Sequence, residues 1–466
     1  MRVHPTDPDH VWFGGGAFTN NSTTIFRITN GGTDMVDVTG AGLDGVRVHV
    51  DTHASAFSNT GGRLYIGNDG GIWKTDTPTA AAGSIDYDNL NAGLAITQFY
   101  PGHSIHPSDE NVHFGGTQDN GTQRYSGTLL WSNNTCGDGA WTAIDPTFPA
   151  TVYSNCQKID IRRSFTNGTA SSFSQARTGI NLADRVQFIP PLVHAPFLTG
   201  TLYFGTCRVW QTSDSATNWI AISPDLTGTN SVSGCPSVAD GNQITAIAVA
   251  RSDSNYVYVV TTDGKVQRST NAVFGAAATW TDLTTLDLPG RFATMVAVDP
   301  FDKETAYVTY SGFSGFGIPL DTKGHVFKRK VDTEVFWTDV SGTGMGALPN
   351  IPVNDIVIVR FCSGDCTITP PVLIALYIAT DVDVLQSTDD GLNWMPLGTG
   401  LPRTQVTSLK LRDESRNLTA ATHGRSAWKM QLDNLPPPFR FPLPPTSSSS
   451  LPFPPPRRLV AAPLSP

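Results

Sequence analysis

Short apolar segments recur along the chain, and each contains an aliphatic–aromatic pair that a small residue usually follows. Clear copies are Val11–Gly14, Leu64–Gly67, Val112–Gly115, Leu202–Gly205 and Leu376–Ala379. Nine copies place their second residue between positions 12 and 419, so the mean spacing is 407/8, or about 51 residues. Pro, Asp, Asn and Gly fill the stretches between copies, which favours short antiparallel strands joined by tight turns.

Each repeat has room for four such strands. The apolar pair forms one strand, a Gly/Asp/Asn turn leads to another such as Gly71–Thr75, and a Trp often begins the last. Four short strands in about 50 residues make a β-propeller blade, and blades bury their faces against one another in a ring. The sequence therefore predicts an all-β chain in which residues 1–435 form a single β-propeller of four-stranded antiparallel blades. Eight blades are favoured, and seven to ten are allowed.

The last 31 residues, 436–466, depart from this pattern. They contain 12 Pro and the run Ser447–Ser450, without any alternation of apolar and polar positions. Such a segment cannot bury enough apolar surface to offset the loss of chain entropy on ordering. We expect a disordered or polyproline-like tail that lies outside the propeller.

Composition and charge indicate which kinds of molecule the protein can bind. Charged residues make up 15% of the 466 positions, and the net charge is 31 − 40 = −9. The chain has no Lys/Arg block of the kind that displaces counterions from nucleic acid. No apolar run approaches the roughly 20 residues that span a bilayer. We expect a glycan or peptide ligand, no nucleic acid and no membrane span, and the oligomeric state stays open.

Six cysteines, an even number without a CxxC pair, indicate disulfides rather than a zinc site. The pairs that the spacing favours are Cys362–Cys366, Cys136–Cys156 and Cys207–Cys235. Six buried thiols are the alternative. The first residues carry no apolar signal sequence and the chain opens within a repeat, so we expect a mature or truncated form of an extracellular or periplasmic protein.

Two segments carry a recognisable motif. Ser387–Trp394 contains Ser, Asp, Gly and Trp at the S-x-D-x-G-x-x-W spacing of an Asp-box, and Thr212–Trp219 matches with Ala216 in the Gly place. Together with Tyr65–Trp73 and Thr422–Ser426, the chain resembles the BNR/Asp-box repeat propellers over residues 1–432. That family includes glycosyl-hydrolase-like, sialidase-superfamily and sortilin (VPS10) N-terminal-like proteins. The resemblance implies a propeller architecture, and a role in binding or cleaving glycans, in binding peptides or in assembly.

The motif itself predicts structure rather than chemistry. Its Asp accepts hydrogen bonds from N–H groups of the turn, its Gly supplies a positive φ, and its Trp packs beneath the hairpin. We therefore interpret the following residues as structural: Ser387, Asp389, Gly391, Trp394, Asp214 and Trp219.

Propeller topology places the connections between second and third strands on the same face as the connections from one blade to the next. Unusual polar residues occupy such connections, and the binding or catalytic candidates are His49, Asp51, His53, Asp69, Gln118, Asp119, Asp138, His423 and Arg425. Because these loops share a face, we expect five of the candidates to lie near the axis on the face opposite the Asp389 turn. They are His49, Asp51, His53, Asp119 and Asp138.

These residue types suit two kinds of chemistry. His49, Asp51 and His53, at a spacing of two, would share one side of an extended segment. They could then bind a metal ion at the channel mouth or act as an acid–base pair. Asp119 and Asp138 suit glycoside hydrolysis, in which one carboxyl donates a proton and the other activates water or attacks. The alternative is that all five are ordinary turn residues or channel-facing histidines.

The sequence favours a secreted or surface propeller that engages glycans, with glycoside-hydrolase-like chemistry at most. A non-enzymatic peptide-binding propeller of sortilin type, or an assembly factor, is the alternative. Sialidase activity is not expected. A sialidase would need three arginines around the substrate carboxylate, for which Arg208, Arg291 and Arg425 are the candidates, but the chain has no F/Y-R-I-P motif. The aromatic side chains proposed to stack on sugar rings are Trp12, Trp73, Trp131 and Trp210.

Overall fold

The repeated apolar pairs lie in the second strands of antiparallel sheets. The computed structural model describes residues 1–16, 24–40, 48–94, 96–134, 136–227, 235, 241–316, 321–361, 373–432 and 460–462. Nine four-stranded sheets are present among these residues, each with its strands in chain order. The protein is therefore an all-β propeller, with one sheet more than the eight favoured and within the seven to ten allowed.

The chain divides into two compact units, Met1–Ile96 and Thr97–Pro463, which differs from the single domain expected over residues 1–435. The first unit has two sheets. Their strands are β1 Arg2–Val3, β2 Val11–Gly14, β3 Ile25–Thr29 and β4 Asp34–Asp37, then β5 Thr52–Phe57, β6 Leu64–Asn68, β7 Gly71–Thr75 and β8 Asp88–Asn89.

The second unit has seven sheets, which we call blades 1 to 7. Blades 1 to 4 comprise β9 Ser104–Ile105, β10 Val112–Thr117, β11 Gly121–Ser126 and β12 Ser132–Asn133; β13 Gly139–Ile144, β14 Val152–Cys156, β15 Ile161–Ser164 and β16 Ser174–Gln175; β17 Leu192–His194, β18 Leu202–Gly205, β19 Val209–Thr212 and β20 Ile220–Ala221; β21 Ile244–Val249, β22 Val257–Thr261, β23 Val266–Ser269 and β24 Thr281–Asp282.

Blades 5 to 7 comprise β25 Ala293–Val298, β26 Thr305–Tyr310, β27 Val326–Lys330 and β28 Thr338–Asp339; β29 Val353–Phe361, β30 Leu373–Thr380, β31 Val384–Ser387 and β32 Met395–Pro396; β33 Val406–Arg412, β34 Asn417–Thr422, β35 Ala427–Gln431 and β36 Val460–Ala462. Four short 3-10 helices are described: Asn30–Gly32, Ala82–Ser84, Ala272–Ala277 and Gly344–Gly346. No helix among the described residues is long and apolar enough to cross a membrane.

β36 lies within the segment expected to stay outside the propeller. Its residues Val460–Ala462 pair with Ala427–Lys429 as the outermost strand of blade 7. These three residues therefore pair with the blade, and the expectation for the rest of the tail stays a prediction. Residues 460–462 read Val-Ala-Ala, a proline-free stretch that leaves every backbone N–H able to pair in a sheet.

The second strands form the core because both of their faces are covered. Every residue of β14, β18, β22, β26 and β34 is buried. The aromatic members of the repeated pairs, among them Tyr153, Tyr203, Tyr258, Tyr307 and Tyr377, have no exposed surface. Strands packed on both faces favour continuous runs of apolar residues, and this explains why the repeat could be recognised in the sequence.

The seven blades of the second unit close into a ring. The first strands of successive blades contact one another from β13 to β33, and β33 contacts β9. At this seam the Phe99 N–H donates to the Thr422 oxygen at 2.9 Å, and the Gln118 N–H donates to the Gln98 oxygen at 3.0 Å. Each blade is built from strands in chain order, so among the described residues no strand is exchanged across the seam.

Indole groups link neighbouring blades in the ring. The Nε1 atoms of Trp219, Trp280, Trp337 and Trp394 donate to carbonyl oxygens of the preceding blade at 2.8–3.0 Å. In each case the Trp stands at the start of the fourth strand or just before it. The link therefore repeats at the position where the sequence pattern places a Trp.

Candidate functional site

Within the described residues, His49, Asp51 and His53 are not found as a group of three metal ligands, and a site that uses the two histidines stays a prediction. Asp51 has a φ of 61°, and the pairing of β5 with β6 shifts register between Thr52 and Ala54. Both features break the alternation that would place His49 and His53 on one side of an extended segment. His49 Nδ1 lies 3.0 Å from the Val50 oxygen, whereas His53 Nε2 contacts the Asp69 carboxylate.

The turn after β10 in the second unit meets the segment that enters β13. Gly116 and Gly139 allow this approach, since a Cβ on Gly139 would lie 2.4 Å from the Gly121 oxygen and one on Gly116 would lie 2.2 Å from the Ala140 oxygen. The Gly121 N–H donates to the Gly137 oxygen at 2.7 Å. Glycine is therefore required where the two backbones touch, and the contact brings the next residues of each segment together.

Asp119 and Asp138 meet at this contact. The Asp119 backbone N–H donates to Asp138 Oδ1 at 3.1 Å, and Gln118 Nε2 donates to Asp119 Oδ2 at 2.7 Å. The Tyr100 hydroxyl donates to Gln118 Oε1, which fixes the orientation of the amide. Asp119 has a φ of 55°, a conformation that Asp tolerates in turns. Tyr100, Gln118, Asp119 and Asp138, together with Phe188, form a group that we call the upper-face cluster.

An aromatic rim borders the cluster. The rings of Tyr100 and Phe188 are edge-to-face with centroids 6.4 Å apart, and Phe188 is 46% exposed. Burial, followed by the negative charges of Asp138 and Asp119, raises the pKa of Tyr100. Tyr100 therefore keeps its proton and stays a hydrogen-bond donor at neutral pH.

Tyr100 and Phe188 were not among the sequence candidates. Both lie in segments that precede the first strand of a blade, Tyr100 before β9 and Phe188 before β17. The topological rule that selected Asp138 applies equally to these segments, so it would have drawn attention to the aromatic residues there, although not to their exposure.

Two further candidates lie near the cluster at the seam of the ring. His423 pairs with Gln98 in a short antiparallel bridge, and the oxygen of Gln98 accepts the Gln118 N–H. Burial lowers the pKa of His423, opposed by the charge of Asp381. Arg425, two residues further on, is exposed. The structure thus brings Gln118, Asp119 and Asp138 into direct contact. His423 is separated from Gln118 by the segment that contains Gln98.

Within the described residues, the group of side chains that comes close enough to hold a metal ion is Asp184, Cys207 and Cys235. Both cysteines are already in a disulfide, so they offer no thiolate ligand. The disulfides Cys136–Cys156 and Cys207–Cys235 confirm two predicted pairs. Cys362 and Cys366 lie outside the described residues, and their pairing stays a prediction.

Three of the four tryptophans proposed to stack on sugars are buried and not available for that role, whereas Trp131 is half-buried. Trp12, Trp73 and Trp210 are buried, with exposed fractions of 1%, 2% and 6%. Trp131 packs against Phe99 and Tyr125. The interiors of the sheets use these large apolar rings, so the exposed aromatic surface at the cluster comes from Phe188 instead.

The Asp-box turns lie on the opposite face, which we call the lower face, because they connect third and fourth strands. Asp389 Oδ1 accepts hydrogen bonds from Ser387 Oγ and the Asn393 N–H at 2.8 and 2.9 Å. Asp214 Oδ1 accepts from the N–H groups of Thr217 and Asn218 at 3.0 and 2.9 Å. These carboxylates satisfy the donors of their own turns.

Comparisons with known proteins establish the fold. No protein-family model matches the sequence. No curated protein matches it either. Among solved structures, the Niastella koreensis GH74 enzyme is similar over 92% of this chain, with a TM-score of 0.53 and 15% identity. YCF48 from Cyanidioschyzon merolae is similar over 74% of this chain and 98% of its own, with a TM-score of 0.51 and 10% identity. The chain spans 59% of the length of the GH74 enzyme.

Proposed function

We propose that the protein is an Asp-box-type propeller that binds glycans at the upper-face cluster. The observation that carries the proposal is the meeting of Asp119 and Asp138 beside the rim of Tyr100 and Phe188. The similarity of the ring to a GH74 enzyme, a glycoside-hydrolase fold, supports the same class of ligand.

The chemistry of the cluster suits a ligand rich in hydroxyl groups. Carboxylate oxygens accept hydrogen bonds from sugar hydroxyls, and the Gln118 amide offers both a donor and an acceptor. A partly exposed ring such as Phe188 provides an apolar face on which a sugar ring can stack. Sites for small ligands commonly combine such a rim with a few converging polar groups.

Hydrolysis is the further step that the two carboxyl groups would perform. One of Asp119 and Asp138 would donate a proton to the glycosidic oxygen, and the other would activate water or attack the sugar carbon. Asp138 is buried whereas Asp119 is partly exposed, so a ligand and water can reach Asp119 more readily than Asp138.

A glycan array followed by calorimetry tests the binding. The variants Asp119→Asn and Phe188→Ala should each weaken binding of the selected glycan about tenfold, because one removes a charged acceptor and the other the stacking surface. Matched controls are Asp332→Asn and Phe274→Ala, which change an exposed carboxylate and a 66% exposed ring on the lower face. Unchanged affinity in both cluster variants would contradict the proposal.

Protein binding is a second candidate because the lower face carries exposed aromatic residues. Phe148, Phe197 and Phe301 stand on the turns between first and second strands of blades 2, 3 and 5, and are 62%, 60% and 43% exposed. A peptide-display screen against the wild type and a Phe148→Ala/Phe197→Ala variant tests it. Peptides that bind both proteins equally would contradict this candidate.

We place the protein in an oxidising compartment, outside the cytoplasm. Its two described disulfides support this location, since such bonds persist mainly in secreted or periplasmic proteins. Expression in the periplasm, compared with the cytoplasm of the same bacterial strain, should give a higher yield of folded protein. Equal yields of fully oxidised protein would count against this location.

A further inference from the structure

A cavity of about 420 Å³ lies on the upper side of blade 2, next to the upper-face cluster. The turn between β14 and β15 and the edges of β15 and β16 line it. Its lining includes six residues: Cys136, Lys158, Asp160, Arg162, Gln175 and Arg177.

Positive charge exceeds negative charge in this lining, although the whole chain carries a net charge of −9. Three of the six residues are cationic and one is anionic. Arg162 is paired, because its Nη2 and Nε atoms lie 2.9 and 3.2 Å from Asp160 Oδ2. The charges of Lys158 and Arg177 are therefore left without a matching carboxylate in the lining.

Arg177 is held in place by uncharged groups. Its Nη1 donates to the Ile159 oxygen. With the Gln175 amide turned so that its oxygen faces the guanidinium, Nη2 and Nε lie 2.9 and 3.0 Å from that oxygen. Three of the five N–H groups are engaged in this way, and two remain for a ligand. The fixed, planar guanidinium matches the geometry of a carboxylate.

Lys158 adds a second cation at the cavity. Its side chain is exposed, and its ammonium group has no side-chain partner within the part of the chain that the structure describes. Its backbone N–H donates to the Phe188 oxygen at 2.8 Å, and its φ of 58° places it at the tip of the turn.

The cavity lies beside the upper-face cluster, and two covalent or hydrogen-bonded links join its lining to the cluster. Lys158 is bonded through its backbone to Phe188, whose ring contacts Tyr100. Cys136, in the cavity wall, lies two residues before Asp138 and is tied to Cys156 by a disulfide. A ligand seated on the aromatic rim can therefore reach the cavity.

We propose that this cavity is a subsite for an anionic sugar, so that the glycan bound by the protein is acidic. The neutral part of the ligand would stack at Phe188, and a carboxylate or sulfate on the adjoining sugar would meet Arg177 and Lys158. The inference rests on the proposed function for the neutral part, whereas the charge preference can be measured by itself.

Calorimetry with matched tetrasaccharides tests the subsite. The probes are tetragalacturonate, its carboxyl-reduced neutral form and a sulfated tetragalactoside. Wild-type protein should bind at least one anionic probe about tenfold more tightly than the neutral form, since charge-assisted hydrogen bonds are stronger than neutral ones. The two anionic arms show whether carboxylate or sulfate is preferred.

Variants then assign the preference to the cavity. Lys158→Gln and Arg177→Gln should each remove most of the preference and reduce the salt dependence of binding, while Arg177→Lys should retain part of it. Arg403→Gln, an exposed upper-face cation between blades 6 and 7, is the matched control and should leave the preference unchanged. Equal affinity of wild type for all probes, or no binding of either anionic probe, would overturn the subsite.

The outcomes separate the two proposals. Binding that is about tenfold weaker in Asp119→Asn and in Phe188→Ala, with a charge preference that Lys158→Gln and Arg177→Gln remove, supports both. Anionic binding that survives the cluster variants but not the cavity variants supports the subsite and contradicts the cluster. Binding that depends on the cluster without any charge preference contradicts the subsite alone.

Discussion

Arg251 and Asp413 form an ion pair although they belong to blades 4 and 7, which are not neighbours in the ring. Both residues stand on turns between first and second strands, so the pair lies on the lower face. The Arg251 side chain is 49% exposed and the Asp413 side chain 48%. The pair thus crosses the ring while remaining in contact with water.

This ion pair should contribute little to stability. We expect Asp413→Ala to lower the free energy of unfolding by less than about 1 kcal/mol, because exposed pairs are screened by water and salt. The contrasting pair is Arg291 and Asp321, whose side chains are 4% and 3% exposed. Asp321→Ala should lower the free energy of unfolding by about 3 kcal/mol or more, since it leaves the buried charge of Arg291 without its partner. Urea unfolding measures both, and equal losses would contradict this ranking.

The indole links between blades can be tested by a substitution that removes only the N–H donor. Trp337→Phe should lower the free energy of unfolding by about 1 kcal/mol more than the smaller ring alone would, because the Leu283 oxygen loses one of its two donors and keeps only Arg329 Nη1. Trp131→Phe is the matched control, since Trp131 Nε1 is buried without a partner among the described residues. Equal effects of the two substitutions would mean that the indole hydrogen bond contributes nothing.

The two disulfides should have similar effects on stability and different effects on binding. They close loops of 20 and 28 residues. Replacing both cysteines of either pair by Ser should therefore lower the free energy of unfolding by about 3 kcal/mol. Only Cys136→Ser/Cys156→Ser should also weaken glycan binding, because Cys136 lies two residues before Asp138. Calorimetry with the array-selected glycan separates the two variants, and equal binding in both would show that the bond does not position Asp138.

Buried histidines should make the protein less stable in acid. Burial lowers the pKa of His113 to about 4, from 6.5. The unfolded chain therefore binds a proton that the folded chain does not, so stability is present above pH 6.5 and falls as the pH drops toward 4. Between pH 7.5 and pH 4.5, the free energy of unfolding should fall by about 2 kcal/mol less in His113→Gln than in wild type. Measuring both proteins at pH 7.5 isolates the packing effect, and parallel pH profiles would contradict the assignment.

The fold could be predicted because its determinants are local and repeat. Tyr153, Tyr203 and Tyr258 occupy the same place in successive second strands, and an aromatic residue buried on both faces leaves a clear pattern in the sequence. The division at residues 96 and 97 could not be predicted, because the repeat continues through it without a change of composition.

The candidate site was predicted only where topology sufficed. Asp119 and Asp138 could be paired because strand order alone places their connections on one face. The regular alternation assumed between His49 and His53 does not hold, because Asp51 adopts a positive φ that the sequence does not reveal, and their shared metal site stays a prediction. Phe188 was missed because exposure depends on packing between distant segments.

The seam between blades 1 and 7 can form only late during synthesis on the ribosome. Phe99 leaves the ribosome 323 residues before Thr422, its hydrogen-bond partner across the seam. At about 5–20 residues per second, the open edge of blade 1 waits roughly 15 to 65 s for the blade that covers it. During that interval His103 and Phe99, both buried in the finished ring, lack the partner surface of blade 7. Chaperone binding to the nascent chain should therefore concentrate on residues 97–117 and end when blade 7 emerges.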